Sequence, residues 1–332
     1  MTGVQTCALP IYFLSGYVKL GSHDPAWASF TALKFHYHTQ PLPTVIAWYA
    51  DKLPDWFQRG SAAGVLGIEL FVPFLIFSPR RWRMAGAYVL LGLQALIFLT
   101  GNYTFFNLLT MALTVFLFDD QALSWLHKRE TSIGEIYASK RVRMVRGLLV
   151  VAILGLGIAR LTQTIEGSVP EPLDTITRVF SPFQIVNSYG LFAVMTTTRP
   201  EIVIEGSDDG ETWLPYEFPY KPGNLYRAPR WIEPFQPRLD WQMWFAALGN
   251  YQSNPWFPAL MLRLLEGSPE VLGLFENNPF PAHPPRFVRA ELFEYSFTDK
   301  DIRSQSGAWW KRVPSGLYLP AVGLKGLLES PN

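Results

Sequence analysis

Four apolar runs between residues 61 and 161 constrain this chain more than any other feature of its sequence. The runs are residues 61–78, 84–100, 105–118 and 147–161. Their lengths approach the roughly 20 residues that an α-helix needs to cross the hydrocarbon core of a bilayer. Any one of the shorter runs could be a buried helix of a soluble protein, but four in succession predict an integral membrane protein.

The charged residues between these runs support the same interpretation. Arginines fill the link between the first two runs, and six Lys and Arg residues lie within 128–146, whereas 101–104 carries no charge. Cytoplasmic loops of membrane proteins carry an excess of Lys and Arg. The alternation therefore predicts that 101–104, 21–60 and the chain after about residue 165 lie outside the cytoplasm.

The composition excludes several classes of protein. The net charge of +1 at pH 7 gives no reason to expect binding to nucleic acid. The single cysteine, Cys7, excludes an internal disulfide, a cysteine-ligated zinc site and dithiol redox chemistry. The sequence contains no GxSxG, P-loop or Rossmann motif, and its five histidines form no HExxH or other compact ligand set, so we expect neither a cofactor nor a metal.

The chain is predicted to divide into four parts. Residues 1–11 lack the charge pattern of a signal peptide and are interpreted as a non-native leader. Residues 12–60 are expected to hold the end of a truncated helix and an extracytoplasmic loop. Residues 61–164 are the predicted membrane domain with four helices, and residues 165–332 are the predicted extracytoplasmic domain.

Strand patterns dominate the ends of this last part. Residues 201–205 (EIVIE) and 212–218 (TWLPYEF) flank the turn residues 206–210 (GSDDG), which predicts a β-hairpin. Pro215 cannot donate a hydrogen bond to a ladder, so we expect the second strand at a sheet edge. Further strands are predicted at 191–196, 286–297 and 315–319.

A helical insertion is predicted between these strands. Asp240 and Asn254 are expected to cap two helices, and Ser268 starts a short third helix after a stop at Gly267. Apolar side chains recur with helical spacing in the first two helices, which is typical of core packing, although a surface for a partner or for the membrane is the alternative. These side chains are Trp241, Trp244, Phe245 and Leu248, then Phe257, Leu260, Met261 and Leu264.

The predicted fold is therefore an α-helical polytopic membrane domain followed by an extracytoplasmic α+β domain with an antiparallel sheet and a helical insertion. Within the insertion, the link at 249–253 (GNYQS) is rich in amides and more polar than a helix corner requires. We expect this link and its surroundings to form a partner-binding or active surface, with ordinary corner packing as the alternative. The candidate residues are Asp240, Trp241, Trp244, Asn250, Gln252, Asn254 and Trp256.

Polar residues in or beside the predicted membrane domain form a second candidate set. Such residues inside a bilayer face the bundle interior, for structural hydrogen bonding or for function. His36 and His38 alternate, as two ligands on one face of a strand would, but no carboxylate lies near them in sequence. Asn102 begins a glycosylation sequon that is too close to the predicted bilayer to be an acceptor. The candidates are His36, His38, Glu69, Asn102 and Tyr103.

Six strings in this sequence resemble the lipase maturation factor family. They follow the family's order, and the resemblance extends from residue 12 to about residue 318. They are WASFTALKFHYHTQPLP (27–43), TGNYTFFNLL (100–109), RPEIVIEGSDDGETW (199–213), RLDWQMWFAALGNYQSNPWF (238–257), LLEGSPEVLGLFENNPFP (264–281) and PPRFVRAELFEYSFTD (284–299).

The resemblance implies a polytopic membrane protein that helps secreted lipases to reach their active form, located in the endoplasmic reticulum in animals. The family's upstream helices are missing, as expected for a truncated chain, and the shortage of cysteine excludes maturation by thiol exchange. Because the chain is compact and lacks disulfides, we expect a bacterial member in the inner membrane, or one in the endoplasmic reticulum membrane if the source is eukaryotic. The implied partners are the lipid bilayer and an immature secreted lipase or other exported client.

Two functions remain open at this stage. The favoured one is a non-enzymatic folding factor whose apolar surface holds an immature client. The alternative is a membrane-bound enzyme whose polar groups act on a lipid or peptide at the outer membrane face. Convergence of the polar candidates on one open site would indicate the enzyme, whereas polar candidates occupied by structural hydrogen bonds would indicate the folding factor.

Overall fold

The computed structural model describes residues 3–103, 105–119, 121–124, 139–166, 170–183 and 192–329. The chain divides into two compact units. The first unit comprises Met1–Ser29, Ala63–Leu93 and Thr110–Val194, and the second comprises Phe30–Ala62, Gln94–Leu109 and Met195–Asn332. Each unit thus joins segments that are far apart in sequence.

Helices dominate the first half of the described chain, and strands appear only after residue 199. The helices are α1 (Gly3–Gly21), α2 (Pro25–Ala28), α3 (Ala32–Thr39), α4 (Val45–Asp51), α5 (Asp55–Phe71), α6 (Arg80–Thr100), α7 (Phe105–Val115), α8 (Lys140–Glu166), α9 (Leu173–Phe180), α10 (Arg238–Ala247), α11 (Trp256–Leu265), α12 (Pro269–Leu272), α13 (Lys300–Ser306) and α14 (Leu324–Glu329). The strands are β1 (Pro200–Ser207), β2 (Leu214–Pro215), β3 (Phe287–Phe297) and β4 (Trp310–Gly323).

Among the residues that the structure describes, three helical segments are long and apolar enough to cross a membrane: Asp55–Phe77, Arg80–Thr100 and Lys140–Ala159. They correspond to the first, second and fourth apolar runs. Each begins before its run because the first turn carries charged residues that a search for apolar side chains passes over. The third run forms α7, whose 11 residues rise about 16 Å, roughly half the thickness of a hydrocarbon core.

The first unit combines an apolar core with ion pairs at one end. Arg80, at the start of α6, forms a bidentate ion pair with the carboxylate of Asp119, which follows α7. Arg83 lies 3.5 Å from the same carboxylate. The arginine-rich first turn of α6 therefore lies beside the residues that follow α7. The buried core contains Tyr12, Ile76, Ala87, Leu90 and Leu117.

The second unit contains a four-stranded antiparallel sheet with the order β2–β1–β3–β4. β1 and β2 form the predicted hairpin, in which Glu205 lies opposite Pro215. β2 occupies the edge, as the proline predicted, and β3 matches the strand predicted at 286–297. These three predictions are confirmed, and the strand predicted at 315–319 is part of the longer β4.

Both faces of the sheet are covered. Ile202 and Ile204 of β1 are fully buried in a core that α10 and α11 complete. Val203, which points the other way, packs in a second core with Trp48 of α4 and Trp310 of β4. Successive residues of β1 therefore enter different cores, which fixes its register because a slip by one residue would exchange the two sets.

Three local predictions were wrong. The described residues 192–196 have no regular secondary structure and do not form a strand; Leu191 lies outside the described residues. α10 begins at Arg238 after Pro237, so Asp240 lies inside the first turn and does not cap the helix. α11 begins at Trp256 after Pro255, so Asn254 is not its cap. In both helices a proline, whose fixed φ angle suits the entry to a helix, stands directly before the first helical residue.

The two apolar patterns of the insertion have different outcomes. The four patterned side chains of α11, at positions 257, 260, 261 and 264, are buried in the core, as core packing predicts. On α10, Trp244 is buried but Phe245 and Leu248 are 58% and 45% exposed. The core-facing side of α10 is formed instead by Met243, Ala246 and Ala247. The apolar pattern predicted for this helix therefore lies partly on the surface.

Gly210 gives a first testable prediction. Its φ angle is +81° and no atom lies within 4 Å of the position of a Cβ, so a side chain there would cost only backbone strain. We expect Gly210→Val to lower the free energy of unfolding by about 1–2 kcal/mol, measured by thermal unfolding in detergent. Gly210→Asn is the control, because asparagine adopts positive φ angles more readily than valine. Equal losses for the two variants would contradict the positive φ angle at this position.

Candidate functional site

A buried arginine binds the segment that follows α3. Nη1 of Arg199 donates to the carbonyl oxygens of His38, at 2.7 Å, and Gln40. Nη2 donates to the carbonyl oxygen of Pro41 at 2.7 Å. Arg199 has no exposed surface. One guanidinium therefore satisfies three backbone acceptors, and we call the bound segment, residues 38–44 (HTQPLPT), the clamped segment.

The charge of Arg199 is balanced within the same cluster. Glu201 lies 2.8 Å from Arg199 and 2.9 Å from Lys221. The guanidinium also lies over the ring of Trp310, with its carbon 5.3 Å from the ring centroid. Burial lowers the pKa of Arg199 from its ordinary value and the charge of Glu201 raises it in part. The cluster thus holds its charges in fixed geometry away from water.

Other elements of the second unit complete the hold on the clamped segment. Nε1 of Trp244 donates to the carbonyl oxygen of Thr39 at 2.8 Å. The Gln40 side chain donates to the carbonyl oxygen of Thr100 at 2.8 Å, at the end of α6. The Thr44 hydroxyl donates to the carbonyl oxygen of Leu99 at 2.6 Å. The clamped segment is therefore fixed to α6, α10 and β1 at once.

Asn102 occupies the tight turn after α6. Its Nδ2 donates to the carbonyl oxygens of Leu42 at 3.0 Å and Arg230 at 2.9 Å, and its Oδ1 accepts from the backbone N–H of Ile232 at 3.0 Å. Asn102 is 2% exposed, so this amide is structural and not a glycan acceptor. At Gly101, next to it, a methyl group would overlap Gln40 Oε1 and the ring of Tyr103.

Three aromatic candidates meet beside this turn. The rings of His36 and Tyr103 stack at 6.3 Å, and Tyr103 meets Trp241 edge-on at 6.0 Å. Burial raises the pKa of Tyr103 well above its usual range. Tyr103 is therefore a neutral phenol at physiological pH and is unsuited to act as a general base.

The prediction that His36 and His38 share one face of a strand was wrong. Both lie on α3, where residues two apart point in different directions. The neighbouring sequence offers His38 no carboxylate, but the fold supplies one from α4, since Nδ1 of His38 lies 3.0 Å from Asp51 Oδ1. Burial raises the pKa of Asp51, but hydrogen bonds from His38 and Lys52 outweigh it and lower the pKa overall.

Asp240 and the polar corner have structural partners. Asp240 Oδ1 accepts from the backbone N–H groups of Tyr220 at 2.9 Å and Lys221 at 2.7 Å. Burial raises the pKa of Asp240. In the corner, Asn250 Oδ1 accepts from the backbone of Ser253 at 2.9 Å and Asn254 donates back to the Asn250 carbonyl at 2.8 Å.

Glu69 belongs to the first unit and forms a buried ion pair. Lys19 Nζ donates to both carboxylate oxygens of Glu69, at 2.7 and 2.6 Å. Lys19 and Glu69 are 5% and 6% exposed, and Lys19 also lies over the ring of Trp27. The pair joins α1 to α5, so the predicted interior orientation of Glu69 is accompanied by a partner that sequence spacing did not indicate.

The structure thus brings His36, His38, Asn102, Tyr103, Trp241 and Trp244 together around the clamped segment. Asn250 bonds within its corner, and Asn254 also donates to the Tyr318 hydroxyl. Gln252 is exposed, and Trp256 packs on Phe257. Within the described ranges, no group of three or more His, Cys, Asp or Glu side chains could hold a metal ion.

Sequence reasoning missed the residues at the centre of the site. Arg199, Glu201 and Lys221 carry its charges, and Gln40 and Thr44 bind its backbone. One usable signal was the pair of charges two residues apart at the start of an apolar strand, because such residues share one face of a sheet.

Comparison with known proteins gives two family matches. The family model described as "Lipase maturation factor transmembrane domain" matches residues 3–125, and "Lipase maturation factor C-terminal domain" matches residues 185–320. Lipase maturation factor 2 of Homo sapiens is 36% identical, over 95% of this chain and 58% of the relative. Lipase maturation factor 1 of Mus musculus is 34% identical over the same shares. The chain belongs to the lipase maturation factor family.

Membership in the lipase maturation factor family confirms the resemblance and makes this an integral membrane protein with a family transmembrane domain. Lipase maturation factor 2 of Xenopus tropicalis is also similar, at 35% identity over 95% of this chain. The chain spans about six-tenths of the length of these curated relatives. No solved structure matches it.

Proposed function

We propose that this chain acts in its membrane as a non-enzymatic maturation factor for a secreted lipase or a similar exported client. The observation that carries the proposal is that the polar candidate residues are bound to structural partners. His38, Glu69, Asn102 and Asp240 each bond to a structural partner, and Tyr103 lies in a buried aromatic stack. An enzyme would need such groups to converge on an open site.

The names of the relatives support the choice of client. Relatives called lipase maturation factors align with 95% of this chain, including both units. A chaperone also needs accessible apolar area, and α10 exposes Phe245 and Leu248. The alternative of a membrane-bound enzyme acting on a lipid or peptide has no comparable observation in its favour.

The test of this function is the activity of a client. Expression of the full chain in lipase-secreting cells that lack their own maturation factor should raise lipase activity per mass of secreted lipase. A secreted enzyme unrelated to lipases, measured in the same cells, is the control. Unchanged specific activity would contradict the proposal, and turnover of a phospholipid or peptide by the purified chain would support the enzyme instead.

We further infer that the second unit lies outside the cytoplasm, at the bacterial inner membrane or the endoplasmic reticulum membrane. Two observations at opposite ends of α6 support this arrangement. The arginines at its start lie beside Asp119, whereas the uncharged turn at its end is bonded to the 230–232 backbone. Basic residues favour the cytoplasmic side of a membrane. The uncharged end of α6, and the unit that contains the sheet, would then lie on the opposite side.

Reporter fusions test this topology. A reporter active only in the cytoplasm should give a signal when fused after Asp120 and none when fused after Pro320. A second reporter, active only outside the cytoplasm, should give the reverse pattern and controls for expression. Equal signals from the two fusion sites would rule the topology out.

The polar corner provides a test of which residues meet the client. Gln252 is exposed, so we expect Gln252→Ala to lower client maturation while leaving the thermal unfolding temperature unchanged. Asn250→Ala should instead lower the free energy of unfolding by roughly 0.5–2 kcal/mol, because it removes the cap on Ser253. If Gln252→Ala leaves maturation intact, the corner has only its packing role.

A further inference from the structure

Two large aromatic side chains are exposed on the loop at residues 228–237 (APRWIEPFQP), which we call the aromatic loop. Trp231 is 46% exposed and Phe235 is 57% exposed. Neither residue lies in a helix or strand. Large apolar side chains exposed on one short segment are typical of a surface that contacts a partner or a membrane.

The aromatic loop lies against a candidate membrane span. The ring of Trp231 meets the ring of Phe98 edge-on, with centroids 5.5 Å apart. Phe98 belongs to the last turn of the span Arg80–Thr100. Two residues of helix rise about 3 Å, so Trp231 packs close to the point where α6 leaves the apolar phase.

The position of Trp231 is fixed by the turn after α6. Asn102 donates to the carbonyl oxygen of Arg230 and accepts from the backbone N–H of Ile232, which holds the backbone on both sides of Trp231. Asn102 is itself buried. Trp231 is therefore held against the turn that ends the span.

The surroundings identify the occupant of this surface as lipid. Leu96 and Leu99, in the last turns of α6, are 62% and 36% exposed and would face acyl chains in a membrane. Tryptophan is enriched at the membrane–water interface because its ring is apolar and its N–H is polar. Trp231 thus packs, through Phe98, on the same turns of the span that expose leucines to lipid.

We propose that Trp231 and Phe235 insert into the interfacial layer of the bilayer that α6 crosses, so that the aromatic loop holds the sheet-containing unit against the lipid headgroups. The proposal rests on α6 being a membrane span and is independent of the client. The occupant is the phospholipid of the protein's own membrane, at the boundary between headgroups and acyl chains.

Site-directed nitroxide labels test this contact. The full chain with Cys7→Ser would carry a single label at Trp231→Cys, Phe235→Cys or Val313→Cys, in phosphatidylcholine nanodiscs. Val313 of β4 is the matched control, because it is apolar and 64% exposed in the same unit. Labels at 231 and 235 should collide more with oxygen than with a water-soluble nickel chelate, and the label at 313 should show the reverse.

Two results would overturn the proposal. Labels at 231 and 235 that respond like the label at 313 would place the aromatic loop in water. Labels shielded from both reagents would indicate that protein, not lipid, covers the loop. Phe235 packs on Tyr220 at 5.8 Å and not on Phe98, so Phe235→Cys keeps the test valid if Trp231→Cys prevents folding.

Discussion

Replacing Arg199 with methionine should destabilise the second unit more than any other single change described here. The substitution leaves the carbonyl oxygens of His38, Gln40 and Pro41 buried without the donor that binds them. Each buried acceptor left unsatisfied costs about 1–3 kcal/mol. We therefore expect the free energy of unfolding to fall by about 3–5 kcal/mol, against a typical total of about 5–15 kcal/mol.

Denaturant unfolding of the purified chain would measure this loss. Arg289→Met is the matched control, because Arg289 also pairs with a glutamate of β1, Glu205, but both side chains are partly exposed. Partly exposed pairs contribute about 1 kcal/mol or less. Equal losses for the two variants would mean that the clamped segment is held by its surroundings and not by the guanidinium.

Removing Glu69 should have an effect of similar size in the first unit. Glu69→Ala leaves the ammonium group of Lys19 buried without its counter-ion, because both carboxylate oxygens accept from that group. Breaking one side of a buried ion pair costs about 3–5 kcal/mol. Loss of the folded fraction on titration with denaturing detergent would measure it.

The double variant separates structure from function at this pair. Buried ion pairs can be exchanged for apolar residues of similar volume with little loss of stability. Lys19→Met combined with Glu69→Leu should therefore recover most of the stability that Glu69→Ala loses. A double variant that folds but fails to mature a client would show that the charges serve the function, which the single variant cannot show.

The sequence predicted those parts of the fold that depend on neighbouring residues. The hairpin followed from strand periodicity and from a turn that needs Gly210 at positive φ, and the edge position followed from Pro215. Three of the four predicted spans followed from apolar length, whereas the third run forms the shorter α7. In each case the determining residues lie within about one element of each other, and local preferences therefore sufficed.

The centre of the candidate site could not be predicted in this way. Arg199 and the carbonyl of Gln40 are 159 residues apart in sequence, and the acceptor is backbone, which every residue carries. Asp240 shows the opposite case. Aspartate is a residue type that favours helix caps, but this one accepts hydrogen bonds from two backbone N–H groups about 20 residues earlier in the chain. Contacts that do not depend on the partner's side chain leave no pattern in a single sequence.

The separation between Arg199 and the clamped segment also sets an order for biosynthesis. Ribosomes add roughly 5–20 residues per second, so about 10–30 s pass between the synthesis of Gln40 and that of Arg199. During this interval the clamped segment lacks the donor that binds its carbonyl groups. The nascent chain must therefore pass through a stage in which its early helices have been synthesised but the clamped segment is not yet bound, because Arg199 has not been translated.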